Sequence, residues 1–199
     1  MSSNKDNHHN SHLTISLEVE AKKNSPKMKK IKYSAANIAN YMLMRSFDEK
    51  IPLNPMKLIK LVYIAYGWNL AFTNERLFDE TIEAWKYGPV VPSLYHEFKR
   101  FGKDTIDELS CQMDEKTGEL SVVPLGVEIG SDASKILHVV WENYKNWSAA
   151  ELSDLTHKEG SPWQKAIAKN GPNSILSDDD IKSISEYAIR NIMKTFDKN

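Results

Sequence analysis

The sequence predicts a mainly α fold (α+β), a compact helical domain around a buried central helix with a small β-hairpin or sheet. Apolar side chains cover nearly the whole circumference of residues 55–73, which is typical of a helix buried on all sides. Residues 105–124 place Lys116-Thr117-Gly118 between two short apolar runs, which indicates a hairpin. Elsewhere the apolar residues recur mostly with helical spacing, so the β element is expected to be small.

Capping residues mark where the helices begin. Asn54 precedes Pro55, so the asparagine accepts from first-turn amides while proline loses no hydrogen bond. Ser148 and Glu151 have the spacing of a capping box. Gly102 is expected to end a helix in the left-handed conformation. The expected helices span about 34–48, 55–73, 92–101, 132–146 and 149–157, with one from Ser161-Pro162 to Gly171-Pro172 and one after Ser177.

Charge divides the chain into a basic polar extension, residues 1–33, and a helical domain, residues 34–199. The extension holds seven lysines against Asp6, Glu18 and Glu20, a net charge of +4, while the whole chain carries −1 and the domain therefore −5. Apolar and polar residues alternate from 13 to 20, the pattern of a half-buried strand. Such a strand needs a sheet edge to pair with, in this chain or in a partner.

Composition excludes several classes of protein. Of the 199 residues, 41% are hydrophobic, which is enough for a sizeable core. No apolar run approaches the roughly 18 residues of a membrane span, and the polar N-terminus lacks the apolar core of a signal peptide. The single cysteine, Cys111, excludes an intramolecular disulfide and a multi-cysteine metal site. We therefore expect a cytoplasmic protein.

Residues that could support catalysis or bind a metal are sparse. His8, His9 and His12 cluster in the extension without a carboxylate or cysteine arrangement to complete a metal site. His157 and Glu159 would suit a general base only if a nucleophile or cleft lay nearby, whereas a histidine at a helix end more often satisfies free carbonyls. No phosphate-binding glycine loop or hydrolase motif is present. We expect neither an enzyme nor a bound cofactor or metal.

Two groups of side chains are candidates for binding another protein. Trp85 and Tyr87 flank Lys86 beside a Gly-Pro turn, where aromatic residues are candidates for exposed anchors. Lys57 and Lys60 lie on one edge of the central helix and could hold an acidic partner or a phosphate. The alternative is that both lysines simply reach solvent with their stems packed.

Three blocks of the sequence together resemble a known family, the Panacea domain (SocA-like, also called GepA-like). The blocks occur in the family's order within about residues 37–168: MKLIKLVY at 56–63 with GWNLA at 67–71, EAWKYGPVVP at 83–92 with Leu94-Tyr95, and LTHKE at 155–159 with Pro162-Trp163. One block would be weak, whereas three in order are specific. Residues 1–33 match nothing in the domain.

The resemblance implies an antitoxin of a bacterial or prophage toxin–antitoxin system, of the kind found in phage defence. Such a protein neutralises a cognate toxin, encoded by a neighbouring gene, through direct binding and needs no cofactor. The candidate toxin-binding residues are Lys57, Lys60, Trp85, Lys86, Tyr87 and Tyr95. The motif positions expected to be structural are Gly67, Trp68, Gly88, Pro89, Pro92, Thr156, His157, Pro162 and Trp163.

Two positions depart from the family pattern, because Ile59 and Tyr66 stand where glutamine or another polar residue is usual. The main alternative function is a DNA-binding autoregulatory protein of a mobile element, with the basic extension on phosphates. The net charge of residues 34–199 and the missing helix-turn-helix argue against that alternative. Homo-oligomerisation and contact between the extension and the toxin stay open.

Overall fold

The computed structural model of the protein describes residues 33–196, and this range folds as mainly α (α+β), which confirms the predicted fold class. The helices are α1 (Ala35–Glu49), α2 (Pro55–Thr73), α3 (Pro92–Phe98), α4 (Asp132–Tyr144), α5 (Ala149–Thr156), α6 (Pro162–Asn170) and α7 (Asp178–Phe196). The strands are β1 (Glu83–Trp85), β2 (Gly88–Val90), β3 (Cys111–Met113) and β4 (Leu120–Val122). The predicted strand at 13–20 lies outside the described residues.

Helix α2 is the buried centre of the domain, as its apolar circumference predicts. Every residue from Lys57 to Leu70 is buried, and α1, α4, α5 and α7 pack around it. The helix begins where expected, because the side chain of Asn54 accepts from the backbone N–H of Lys57 at 2.9 Å. It ends at Asn74, which adopts a left-handed conformation with φ 58°.

Capping boxes begin two of the other helices. Ser148 and Glu151 form the predicted one on α5, and Ser34 and Asn37 form another on α1. Gly102 differs from the prediction: its φ is 57° but its ψ is −108°, outside the left-handed helical region. The reason is that α3 already ends at Phe98 and a 3₁₀ turn precedes the glycine.

Two short hairpins complete the domain. In the first, β1 and β2 pair antiparallel with Trp85 opposite Gly88. The segment before α7 lies along β1, where the N–H of Ala84 donates to the carbonyl of Ser174 at 2.8 Å. In the second hairpin, β3 and β4 pair with Met113 opposite Leu120, a shorter ladder than the two apolar runs suggest.

Gly67 sets how closely α7 approaches α2. A Cβ built on Gly67 would collide with Oγ of Ser185 and lie 3.1 Å from Cγ2 of Ile181. Both residues are buried on the inner face of α7. The glycine is needed here because of the space and not because of its backbone angles.

We expect Gly67→Ala to destabilise the fold by about 1–3 kcal/mol, since the added methyl overpacks the α2–α7 contact. The double variant Gly67→Ala with Ser185→Ala removes the colliding hydroxyl and should recover at least half of the loss. Urea unfolding of the single and double variants measures both effects. Equal stability of the two variants would show that Ser185 does not limit this approach.

Candidate functional site

The three sequence blocks meet around one glycine. Gly88, at the start of β2, has φ +99°, a conformation that side chains rarely adopt. A Cβ built there would lie 2.8 Å from Nζ of Lys60, 2.8 Å from Oγ1 of Thr156 and 3.0 Å from Cε1 of His157. Since these atoms come from α2 and from the end of α5, only glycine fits where the blocks converge.

Lys60 ties α2 to this hairpin from inside the domain. The side chain is 2% exposed, and its ammonium donates to the carbonyl oxygen of Pro89 at 2.9 Å. Burial lowers the pKa of Lys60 to about 7, because the protonated amine is poorly solvated there. At neutral pH the amine therefore lies near its titration midpoint.

Lys57 makes a similar bond one turn earlier on α2. It is 8% exposed, and Nζ donates to the carbonyl oxygen of Lys145 at 2.6 Å. Lys145 caps the end of α4, where free carbonyls favour a cation. Burial lowers the pKa of Lys57 as well. Both lysines therefore bind backbone oxygens within the domain instead of lying on its surface.

The third block also supports the hairpin. Nε1 of Trp163 donates to the carbonyl oxygen of Trp85 at 2.7 Å. The ring of Trp163 packs edge-on against His157, with 4.2 Å between centroids. Nδ1 of His157 lies 2.6 Å from the carbonyl oxygen of Ser153, so this nitrogen is the donor. The histidine thus bonds a carbonyl at the end of α5, as expected of a histidine at a helix end.

The other motif residues either pack in the core or begin a helix. Trp68 is 3% exposed, and its ring meets Tyr144 edge-on with 6.2 Å between centroids. Pro92 opens α3 and Pro162 opens α6, each at a first helical position where proline loses no hydrogen bond. These residues shape the domain beneath the hairpin.

The remaining candidates form a surface that we call the aromatic surface, made of Trp85, Lys86, Tyr87, Tyr95 and His96. Tyr87 is 60% exposed and Tyr95 is 38% exposed. Trp85 is half-buried and meets Tyr95 edge-on at 4.9 Å between centroids, and His96 packs against both rings. Nζ of Lys86 lies 5.2 Å from the centre of the Tyr87 ring. Ring contacts thus join Trp85, Tyr95 and His96, and the Lys86–Tyr87 pair follows Trp85 directly in the chain, so this set holds four of the six predicted toxin-binding residues.

Sequence reasoning missed two residues of functional interest. One is His96, which completes the aromatic surface and whose only signal was its position beside Tyr95. The other is Asn40, fully buried on α1, whose side chain bonds the backbone of Ser110 and Val123 at the base of the β3–β4 hairpin. The signal in the sequence was an asparagine on the apolar face of a predicted helix, where a buried amide needs hydrogen-bond partners.

A model of the family described as "Antitoxin SocA-like, Panacea domain" matches residues 58–164. This range holds the β1–β2 hairpin together with Lys60, His157 and Trp163. The chain belongs to this family. The Panacea-domain protein is also 30% identical over 144 residues to the antitoxin SocA of Caulobacter vibrioides (strain NA1000 / CB15N), an alignment that covers 71% of the chain and 73% of that antitoxin. No solved structure matches it.

Family membership confirms the resemblance seen in the three blocks and supports an antitoxin role. The side chains at the two positions that depart from the family pattern, Ile59 and Tyr66, both find partners inside this Panacea domain. Ile59 is 3% exposed in the core. The hydroxyl of Tyr66 donates to Oδ1 of Asp178 at 2.7 Å, and Nε of Arg76 donates to Oδ2 of the same carboxylate at 2.7 Å. The pKa of Tyr66 is raised, mainly because the side chain is buried and to a smaller extent because it is bonded to Asp178.

One surface depression of the Panacea domain lies away from the aromatic surface. This shallow depression of about 290 Å³ is lined by Ser46, Phe47, Lys50, Ile51, Pro52, Thr105, Ile106 and Asp107, none of them a motif residue. Within residues 33–196, no three His, Cys, Asp or Glu side chains are grouped so as to hold a metal ion. No helix in the same range has both the length and the apolarity to cross a membrane.

Proposed function

We propose that this protein is an antitoxin that neutralises a cognate toxin, encoded by a neighbouring gene, by binding it directly through the aromatic surface. Its action needs no catalysis and takes place in the cytoplasm of a bacterium. The proposal extends the antitoxin role supported by family membership to a mechanism and a surface. A stable complex of this kind would bury about 1,200–2,000 Å² in total.

One observation carries the proposal: the turn between β1 and β2, which bears Trp85, Lys86 and Tyr87 of the aromatic surface, is held to the domain by three hydrogen bonds. The carbonyls of Trp85, Tyr87 and Pro89 accept from Trp163, Ser153 and Lys60, at 2.7, 3.4 and 2.9 Å. A rigid backbone lowers the entropy lost on binding, so exposed aromatic side chains on such a turn are effective anchors. The buried motif residues thus support the exposed ones.

The test is co-expression of the neighbouring gene product in bacteria, alone and with this protein, followed by growth measurement. We expect growth inhibition by the neighbour and relief by co-expression, with the two proteins purifying together. Relief by a protein that represses the neighbour's gene would be accompanied by a reduced level of that gene's transcript. Measuring the transcript therefore distinguishes binding from repression, and a reduced transcript would contradict the proposal.

Tyr87→Ala should weaken the complex at least about thirtyfold, since central aromatic anchors commonly contribute 2 kcal/mol or more. The matched control is Tyr187→Ala, because Tyr187 on α7 is also 60% exposed but lies outside the aromatic surface. Calorimetric titration against the purified neighbour measures both affinities. Equal affinities of the two variants would remove Tyr87 from the interface.

A further inference from the structure

The β3–β4 hairpin exposes an apolar face. Cys111 lies opposite Val122, and Met113 lies opposite Leu120. In an antiparallel pair, opposite residues lie on the same face of the sheet, and so do residues two positions apart in one strand, so these four side chains share one face. Met113, Leu120 and Val122 are 66%, 68% and 53% exposed. A two-stranded hairpin is marginally stable in water, so an uncovered apolar face is a site for another element.

The outer edge of β4 is open to a further strand. The N–H of Val123 donates to the carbonyl of Ser110 at 2.9 Å, which fixes the hydrogen-bonded positions of this ladder. By the alternation of antiparallel pairing, the backbone groups of Leu120 and Val122 point away from β3. In the part of the chain that the structure describes, no strand pairs with this edge.

The outer edge of β3 is different because it already has a partner. The outward N–H of Cys111 donates to Oε1 of Glu97 on α3 at 3.0 Å. The hairpin is therefore attached to the domain through β3 and through Asn40 at its base, while β4 faces outward. An added strand would pair with β4.

Charge around the hairpin favours a basic occupant. Residues 104–132 hold eight acidic side chains against one lysine, Lys116, a net charge of −7, and two of these carboxylates pair with basic residues outside the range, Glu108 with Arg100 and Asp132 with Lys135. All eight are exposed: Asp104, Asp107, Glu108, Asp114, Glu115, Glu119, Glu128 and Asp132. Residues 1–32 carry the opposite charge, seven lysines against three acidic residues, a net of +4. Attraction between these two segments is strongest at low salt.

The basic segment joins the domain beside the hairpin. A Cβ built on Gly126, four residues after β4, would lie 3.9 Å from Cδ1 of Tyr33, where the described chain begins. Thirteen residues, 20–32, separate Val19 from Tyr33. At about 3.3–3.6 Å per residue they reach up to roughly 45 Å, which is ample to bring residues 13–20 alongside β4.

We propose that residues 13–20 of this chain form a third strand on the outer edge of β4. In this arrangement the apolar alternation at Leu13, Ile15, Leu17 and Val19 continues the apolar face of the hairpin. The lysines from position 22 onward then lie near the acidic residues around it. This interaction of the chain with itself does not depend on the proposed antitoxin function.

The test is amide hydrogen exchange, followed by NMR, at Leu120 and Val122 in the full-length chain. Neither outward amide has a partner in the two-stranded hairpin, so pairing with residues 13–20 should slow their exchange at least tenfold. The double variant Ile15→Asp with Leu17→Asp places charges on the apolar positions and should abolish that protection. Fast exchange at both amides in the unmodified chain would overturn the proposal and leave the extension free for a partner.

The matched control is Thr14→Asp with Ser16→Asp, which adds the same charge at the polar positions of the same segment. Protection should persist in this control, and its loss there would assign the effect to charge alone and contradict strand pairing. Measuring amide exchange at two protein concentrations tenfold apart distinguishes pairing within one chain from pairing with a second copy of the chain. Protection that rises with concentration would contradict pairing within one chain.

Discussion

Lys60→Met should remove a pH dependence of stability that the unmodified protein shows between pH 7 and 10.5. In the folded protein, burial holds the pKa of Lys60 at about 7, against 10.5 for an unperturbed lysine. Between these values the unfolded chain holds a proton that the folded protein has released. The free energy of unfolding therefore rises with pH through this window, and the gain is lost as the pH falls to 7.

The size of the effect follows from the width of the window. Releasing one proton contributes about 1.4 kcal/mol to the free energy of unfolding per pH unit. Across the window from pH 7 to 10.5 the full gain in stability is therefore about 5 kcal/mol. Urea unfolding at pH 7, 8 and 9 should show the free energy of unfolding increasing in the unmodified chain and increasing less steeply in Lys60→Met. At every pH the variant also lacks the hydrogen bond to Pro89, worth about 1 kcal/mol.

The control for Lys60 is Lys158→Met, which removes an exposed lysine from the loop after α5. This variant should keep the slope of the unmodified protein. The same slope in Lys60→Met would show that the Lys60 amine reaches solvent in the folded protein, and the account of a buried support for the hairpin would fail.

Gly88→Ala should destabilise the protein by about 2–5 kcal/mol. Its φ of +99° strains any residue with a Cβ, which contributes about 1–3 kcal/mol. The added methyl also overpacks against Lys60, Thr156 and His157, which contributes a similar amount. Relaxation is limited, because Lys60, Thr156 and His157 each make a hydrogen bond to a backbone carbonyl.

Gly130→Ala separates the two contributions to this loss. Gly130 has φ +85° but nothing within 4 Å of a built Cβ, so its substitution tests backbone strain without a collision. We expect a loss of about 1–2 kcal/mol for Gly130→Ala, clearly smaller than for Gly88→Ala. Thermal unfolding of both variants measures the difference. Similar losses would mean that the convergence of the three blocks adds nothing to the requirement for glycine.

Local signals predicted much of the fold. The bounds of α2 follow from Asn54, Pro55 and a run of apolar residues on all sides, and each of these acts within a few residues of the chain. The capping box at Ser148 and Glu151 is equally local. Gly102 was misjudged because a 3₁₀ turn, which sequence periodicity does not distinguish from the end of an α-helix, precedes it.

The places of the two α2 lysines could not be predicted in this way. The carbonyls that bind them belong to Pro89 and Lys145, 29 and 88 positions away along the chain. From sequence, a lysine at the margin of an apolar helix is expected to extend its amine into solvent, because burying a charge is unfavourable. Only the packing of β2 and α4 on α2 shows that both amines end inside. Four residues of the aromatic surface, by contrast, lie in one motif beside a Gly-Pro turn, and only His96 follows it.

The most direct test of the central claim, direct binding, is to mix this protein with the purified product of its neighbouring gene and measure complex formation by size-exclusion chromatography with light scattering. We predict one complex containing both chains, formed without any other cellular component and weakened by Tyr87→Ala but not by Tyr187→Ala. Relief of toxicity in cells without a complex of the purified proteins would contradict direct neutralisation.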